Sequence, residues 1–193
     1  KSVGTPVELP LSEMEACSSD QDLWTENRVQ GGSMSVKFVR IDDRLLHGQV
    51  VTTWLKRYDI EQAIIVSEEV AQDKTRQMIL KLAAPSGLRV VFFSPEKLIK
   101  VLQKSEVTRS TLLLFTNPRE VYECIEGGVE IPFLNVGNMS KTESNEKITA
   151  GVAVTEEDRS YFKKIIDAGV NVEIQMVPTD KVSQMKDFIG GND

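Results

Sequence analysis

Histidine occurs once in this 193-residue chain, at His47, so a metal centre built mainly from imidazoles is excluded. Cysteine occurs twice, as Cys17 and Cys124. Two thiols so far apart have no zinc-type spacing and form no disulfide framework, which fits a reducing compartment. No apolar run approaches the ~20 residues that span a bilayer. The first thirty residues are acidic and polar, without the apolar stretch of a secretory signal. Excess positive charge is also missing. The chain carries a net −6, of which residues 1–33 supply −4 and residues 34–193 only −2. A body so close to neutral is a poor nucleic-acid binder, because that binding rests on neutralising phosphates with a basic face. No G-x-x-x-x-G-K-[ST] is present, no G-x-G-x-x-G follows the first predicted strand, and there is no G-x-S-x-G elbow.

Residues 1–33 lack a sustained period and end in Gly31-Gly32-Ser33 before Met34. They are expected to be an expression leader or a disordered acidic tail, and 34–193 a single domain. From Met34 strand and helix patterns alternate. Strands are expected in "SVKFVRI", "QAIIVSE", "LRVVFFS", "STLLLFT", "PFLNVGNM", "KITAGVAV" and "VNVEIQMVP". Helices are expected in "GQVVTTWLKRY", "VAQDKTRQMILKLAAP", "SPEKLIKVLQK", "NPREVYECIEGG", "TEEDRSYFKKIIDAG" and "DKVSQMKDFI". Ser94 and Pro95 form a start signal for one helix. Asn117, Pro118 and Glu120 mark another, with Glu120 at the capping-box position. Ala63–Val66, Val90–Phe93 and Leu112–Phe115 are continuous apolar runs, the pattern of parallel strands covered on both faces. The expected fold is therefore α/β: an open, mainly parallel seven-stranded sheet with helices on both faces.

In such sheets the reactive site lies beyond the carboxyl ends of the strands. The loop after the first strand falls there, within "VRIDDRLLHGQVVTTW", Val39 to Trp54. It places His47 just after Arg40, Asp42, Asp43 and Arg44, and just before Gly48 and Gln49. Neutral imidazole is a competent nucleophile near pH 7. Arginines and helix-start amides are the groups that neutralise phosphoryl oxygens. A phosphocarrier histidine fits all these parts, with Asp42 or Asp43 orienting the imidazole or an arginine, and Gln49 supporting the loop. Asn117 and Asn138 are expected at strand ends on the same edge. Trp54, Phe92 and Phe93 read as core. A hydrolase using His47 as base with Ser67 or Ser94 as nucleophile is the competing enzyme.

The motif resembles the N-terminal signature of the IIB subunits of the mannose–fructose–sorbose family of the bacterial phosphoenolpyruvate-dependent sugar phosphotransferase system. The similarity extends over 34–193, through "SEEVAQDKTRQMILKLAAP", "LNVGNM" and "VTEEDRSYFKKIIDAGVNVEIQMVP". The resemblance implies a cytoplasmic phosphocarrier enzyme that needs no metal or cofactor. It implies that His47 accepts a phosphoryl group on Nδ1 from a IIA protein, with Arg40 and Arg44 as phosphate neighbours. The acceptor is then a sugar brought across by IIC and IID membrane subunits, on whose inner face the protein works. Homodimers are common in the family. Its sugars include mannose, fructose, sorbose and amino sugars such as N-acetylgalactosamine, with specificity expected largely in the membrane subunits. A non-catalytic regulatory IIB-like protein is the alternative.

Overall fold

The computed structural model describes residues 35–105 and 107–190; the expected leader, 1–33, lies outside them. Strand β1, Val36–Asp42, opens the domain. Helix α1 follows, π-helical over Val50–Trp54 and α-helical over Leu55–Arg57. Then come β2 (Gln62–Val66), α2 (Glu68–Gln72), α3 (Lys74–Ala83), β3 (Arg89–Phe93) and α4 (Pro95–Lys104). Next are β4 (Thr111–Phe115), α5 (Pro118–Glu126), β5 (Phe133–Asn138), β6 (Glu146–Lys147) and β7 (Ala153–Val154). The chain closes with α6 (Glu156–Asp167), β8 (Asn171–Ile174), β9 (Ser183–Gln184) and α7 (Lys186–Ile189).

Seven strands form one sheet in the order β3-β2-β4-β1-β5-β8-β9. Every pairing in it is parallel except β8 with β9. The doubly covered α/β sheet expected from the apolar runs is thus present. One face packs Val50, Trp54, Val70 and Leu80 of α1–α3 against Phe38, Ile65 and Leu114. The other packs Leu98, Val121, Cys124, Phe162 and Ile165 of α4–α6 against Val39, Ile41 and Val136. Because β1 lies at the centre, its carboxyl end opens between β4 and β5, where the chain switches from building one half of the sheet to building the other.

Four local expectations are corrected. The "KITAGVAV" segment is no strand of the main sheet: Ala153–Val154 pairs antiparallel with Glu146–Lys147, after a bend that Gly151 and its neighbours make. The seventh strand is instead β9, inside the expected last helix. There Val182, Met185 and Ile189 imitate a helical stripe, yet Val182 faces outward at 39% exposure, while Met185 and Ile189 are buried. Helical structure therefore begins only beyond Met185. The long helix expected over 70–85 breaks at Asp73, whose extended backbone and side-chain bond to the Arg76 amide cap a new start. Finally, Glu120 closes no capping box; its carboxylate accepts from the Glu68 amide and the Thr116 hydroxyl. The box that does form joins Thr155 and Asp158 at the start of α6.

Candidate active site at the end of β1

The loop leaves β1 at Asp42, whose carbonyl accepts from the Leu45 amide at 2.9 Å. Leu45 takes the left-handed conformation, φ 59°, an uncommon state for a residue with a bulky side chain. Burial compensates: Leu45 and Leu46 both sink into the α1–α3 face of the core. Pinning the two leucines lifts the next residue, His47, back to the surface with 20% of its side chain exposed.

Asp42 is the centre of the site. Its side chain is fully buried and accepts on both oxygens. Oδ2 lies 3.0 Å from Nη2 of Arg40 and 3.0 Å from Nε2 of His47. Oδ1 accepts from the backbone amide of Arg44 at 3.2 Å and from its Nε at 3.3 Å. A carboxylate only accepts, so in the neutral imidazole the proton resides on Nε2 and the lone pair on Nδ1. Nδ1 has no hydrogen-bond partner among the described residues. The arrangement presents one unprotonated ring nitrogen at a partly exposed position.

The two arginines occupy different environments. Arg44 is 41% exposed and reaches Gln49 Oε1 at 3.5 Å. Arg40 is fully buried. Its Nη1 donates to Asn135 Oδ1 and to the Gln175 carbonyl, and its Nη2 to Asp42 and to the Met176 carbonyl. The Trp54 ring lies 5.3 Å from its guanidinium carbon and donates its own Nε1–H to the Met176 carbonyl at 3.0 Å. Burial lowers the Arg40 pKa from its ordinary value, opposed by the charge and hydrogen bond of Asp42. Arg40, expected beside the phosphate, is thus placed behind Asp42 and not in solvent. The reason is pleating: Phe38, Arg40 and Asp42 share the strand face that α1 covers.

Other expected residues separate as clearly. Asp43 does not touch the imidazole; it accepts from Asn138 Nδ2 and from the Ser140 amide, tying the loop to the end of β5. Asn138 therefore belongs to the site edge. Asn117 does not, because it caps α5 through the Glu120 amide. Gly48 is exposed with open space around it. Trp54 and Phe93 are buried and Phe92 is half-buried, as core residues should be. Ser67 lies at the end of β2, two strands from β1, with its hydroxyl accepting from Thr116 at 3.4 Å. Ser94 caps α4 from a strand further out. Neither Ser67 nor Ser94 meets His47, so the hydrolase constellation with either of them is not assembled among the described residues. Among the described residues no three His, Cys, Asp or Glu side chains group closely enough to share a metal ion. None of their helices is long and apolar enough to cross a membrane.

Sequence reasoning missed Asn135, Trp54 as a partner of Arg40, and the carbonyls of Gln175 and Met176. Asn135 was the findable one. It is a polar residue inside a buried strand, and it stands in register with Arg40.

Residues 36–193 match the family model for the PTS system sorbose subfamily IIB component. The chain is 38% identical over 157 residues to the PTS system mannose-specific EIIAB component of Escherichia coli (strain K12), covering 81% of this chain and 49% of that protein. It thus spans about half the length of that relative. Identity to the PTS system fructose-specific EIIB component of Bacillus subtilis (strain 168) is 36%, covering 76% of this chain and 91% of that one. The crystal structure of the IIBSor domain of the sorbose permease from Klebsiella pneumoniae superposes with a TM-score of 0.74 at 33% identity, covering 81% and 96% of the two chains. With the match running from β1 beyond α7, the chain belongs to the sorbose-subfamily IIB components of the phosphotransferase system.

Proposed function

We propose that the protein is a phosphocarrier: His47 accepts a phosphoryl group from a IIA donor and passes it to a sugar during uptake through IIC and IID permease subunits. The observation that carries this reading is the Asp42–His47 contact, which engages Nε2 and leaves Nδ1 of a partly exposed imidazole available as the nucleophile. In the first step Nδ1 attacks the phosphorus of the donor's phosphohistidine in line. A new N–P bond forms, the donor's N–P bond breaks, and its electron pair returns to the donor imidazole. In the second step a sugar hydroxyl attacks phosphorus, the N–P bond to Nδ1 breaks and the hydroxyl proton is released.

Arg44 is the charged group suited to meet the transferring oxygens, since it is exposed while anchored to Asp42 and Gln49. Backbone amides at Gly48 and Gln49 supplement it. Arg40 acts one step back, as the buried counter-charge and hydrogen-bond donor of Asp42. Asp43 fixes the loop to β5. No step calls for a metal or an organic cofactor. The working position is the cytoplasmic face of the membrane, against the permease, as a single subunit or a homodimer.

The test is label transfer from phosphoenolpyruvate through the two general phosphotransferase proteins and a IIA donor, with His47→Ala run in parallel. Acid-labile, base-stable label on the wild type alone supports the reading. Label on His47→Ala rejects the assigned residue. No label on the wild type, with the donor shown to be charged, leaves a non-catalytic regulator.

A further inference from the structure

We propose that Gly137 is a positioning residue for phosphoryl transfer, acting on His47 through the buried Arg40 side chain; the transfer itself rests on the phosphocarrier reading above. Gly137 lies on β5, next to β1 in the sheet. It follows Asn135, the register partner of Arg40, by two residues, at the point where the β1–β5 register shifts. A Cβ built on Gly137 would fall 1.8 Å from Cζ and from Nη2 of Arg40, and 2.2 Å from Nη1. The guanidinium fills the volume that any other side chain at 137 would take. Gly137 does not have positive φ, so the requirement for glycine here is space and not backbone conformation.

A guanidinium at the end of a long side chain would ordinarily step aside. This one has nowhere equivalent to go. Four oxygens hold its two terminal nitrogens: those of Asn135, Gln175, Met176 and Asp42. The Met176 carbonyl is shared with the indole of Trp54. Displacement by a methyl group at 137 therefore breaks the contact with Asp42 Oδ2, the same oxygen that holds His47 Nε2. Without the bond from Arg40 that fixes its orientation, Asp42 is a less oriented acceptor, and the imidazole loses both its fixed tautomer and its aim. Gly137 contacts neither the phosphoryl group nor His47, so its effect travels by the chain Gly137, Arg40, Asp42, His47.

The experiment is a double-mutant cycle of Gly137→Ala and Arg40→Ala in the full chain, with two readouts. One is the single-turnover rate of phosphoryl acceptance from a charged IIA donor. The other is the pair of imidazole 15N resonances, which belong to His47 without ambiguity because the chain has one histidine. Gly137→Ala is expected to slow acceptance roughly 10–100-fold, the range seen when the outer partner that orients a metal-bound imidazole is disturbed. It should also shift the 15N pattern away from the Nε2-protonated tautomer. The three atoms nearest the new Cβ all belong to Arg40, so the double variant should be no slower than Arg40→Ala alone. Losses that add, or a Gly137→Ala protein with wild-type rate and 15N pattern, would overturn the proposal. If Gly137→Ala does not fold, the double variant decides: a stability equal to that of Arg40→Ala alone supports the steric contact, and a stability below that of Arg40→Ala refutes it. Should the wild type accept no phosphoryl group, the carrier reading fails, yet the 15N readout still tests the coupling of Gly137 to His47.

Discussion

Replacing Asp42 by asparagine removes one charge and one acceptor oxygen while keeping the side chain's shape. In the native site the two carboxylate oxygens accept four hydrogen bonds, from Arg40 and His47 on Oδ2 and from the Arg44 amide and Nε on Oδ1. An amide has one carbonyl oxygen and one NH2 group, so either orientation sets donors against donors. If the NH2 faces the imidazole, Nε2 becomes the acceptor and the proton moves to Nδ1, which quenches the nucleophile. If it faces Arg44, the loop amide and guanidinium lose their anchor. In both cases the buried Arg40 loses its counter-ion. Breaking a buried pair from one side costs about 3–5 kcal/mol. The tautomer effect is expected to slow acceptance roughly 10³–10⁴-fold, as when an aspartate holding a catalytic histidine becomes asparagine. The two effects are read separately, by urea unfolding for stability and by single-turnover labelling corrected for the folded fraction. A folded Asp42→Asn protein that accepts phosphate within tenfold of wild type would refute the assignment of the tautomer to Asp42. Lost stability with an unchanged rate would make Asp42 a structural counter-ion only.

Arg44→Ala is expected to slow acceptance roughly 10²–10³-fold, the loss typical of one preorganised charge-stabilising donor, with little change in the urea midpoint because the side chain is 41% exposed. An unchanged rate would remove Arg44 from the phosphoryl site. Cys124 is fully buried, and burial first, then the charges of Glu123 and Glu120, push its thiol up to about 12 from 9.0. The folded protein therefore holds this proton while the unfolded chain releases it, so stability falls as pH rises from 9 to 12, by up to about 4 kcal/mol. Cys124→Ala should flatten that part of the urea-midpoint profile; a slope identical to wild type would show that the thiol does not titrate with unfolding.

The sheet was largely legible because its interior strands are buried on both faces. Val66 and its neighbours, or Leu112–Phe115, leave no polar alternation to confuse with an amphipathic helix, and turn signals bracket them. The two-residue strands were not legible, since no periodicity fits in two residues. At β9 the spacing of Val182, Met185 and Ile189 even favoured the wrong element, and only the outward-facing Val182 reveals it. The break at Asp73 was hidden for a different reason. A cap residue within a continuous apolar period looks like a solvent-facing polar position until its side chain is seen bonded to the amide of Arg76.

At the site the sequence announced what is local and concealed what is distant. Arg40 through Gln49 form one charged stretch, from the end of β1 to the start of α1, and their chemistry is readable from residue type. What decides the role of Arg40 lies far along the chain, in backbone carbonyls at 175 and 176 that are the same atoms whatever residue carries them. Such contacts leave no direct mark in a sequence. They leave an indirect one wherever a side chain must be absent or polar to make room for the buried charge. Asn135 and Gly137 are those marks, a polar residue and a missing side chain two positions apart on the strand beside Arg40. A charged residue in one buried parallel strand asks its neighbour for an acceptor and for room, and a strand that supplies both predicts that the charge is inside.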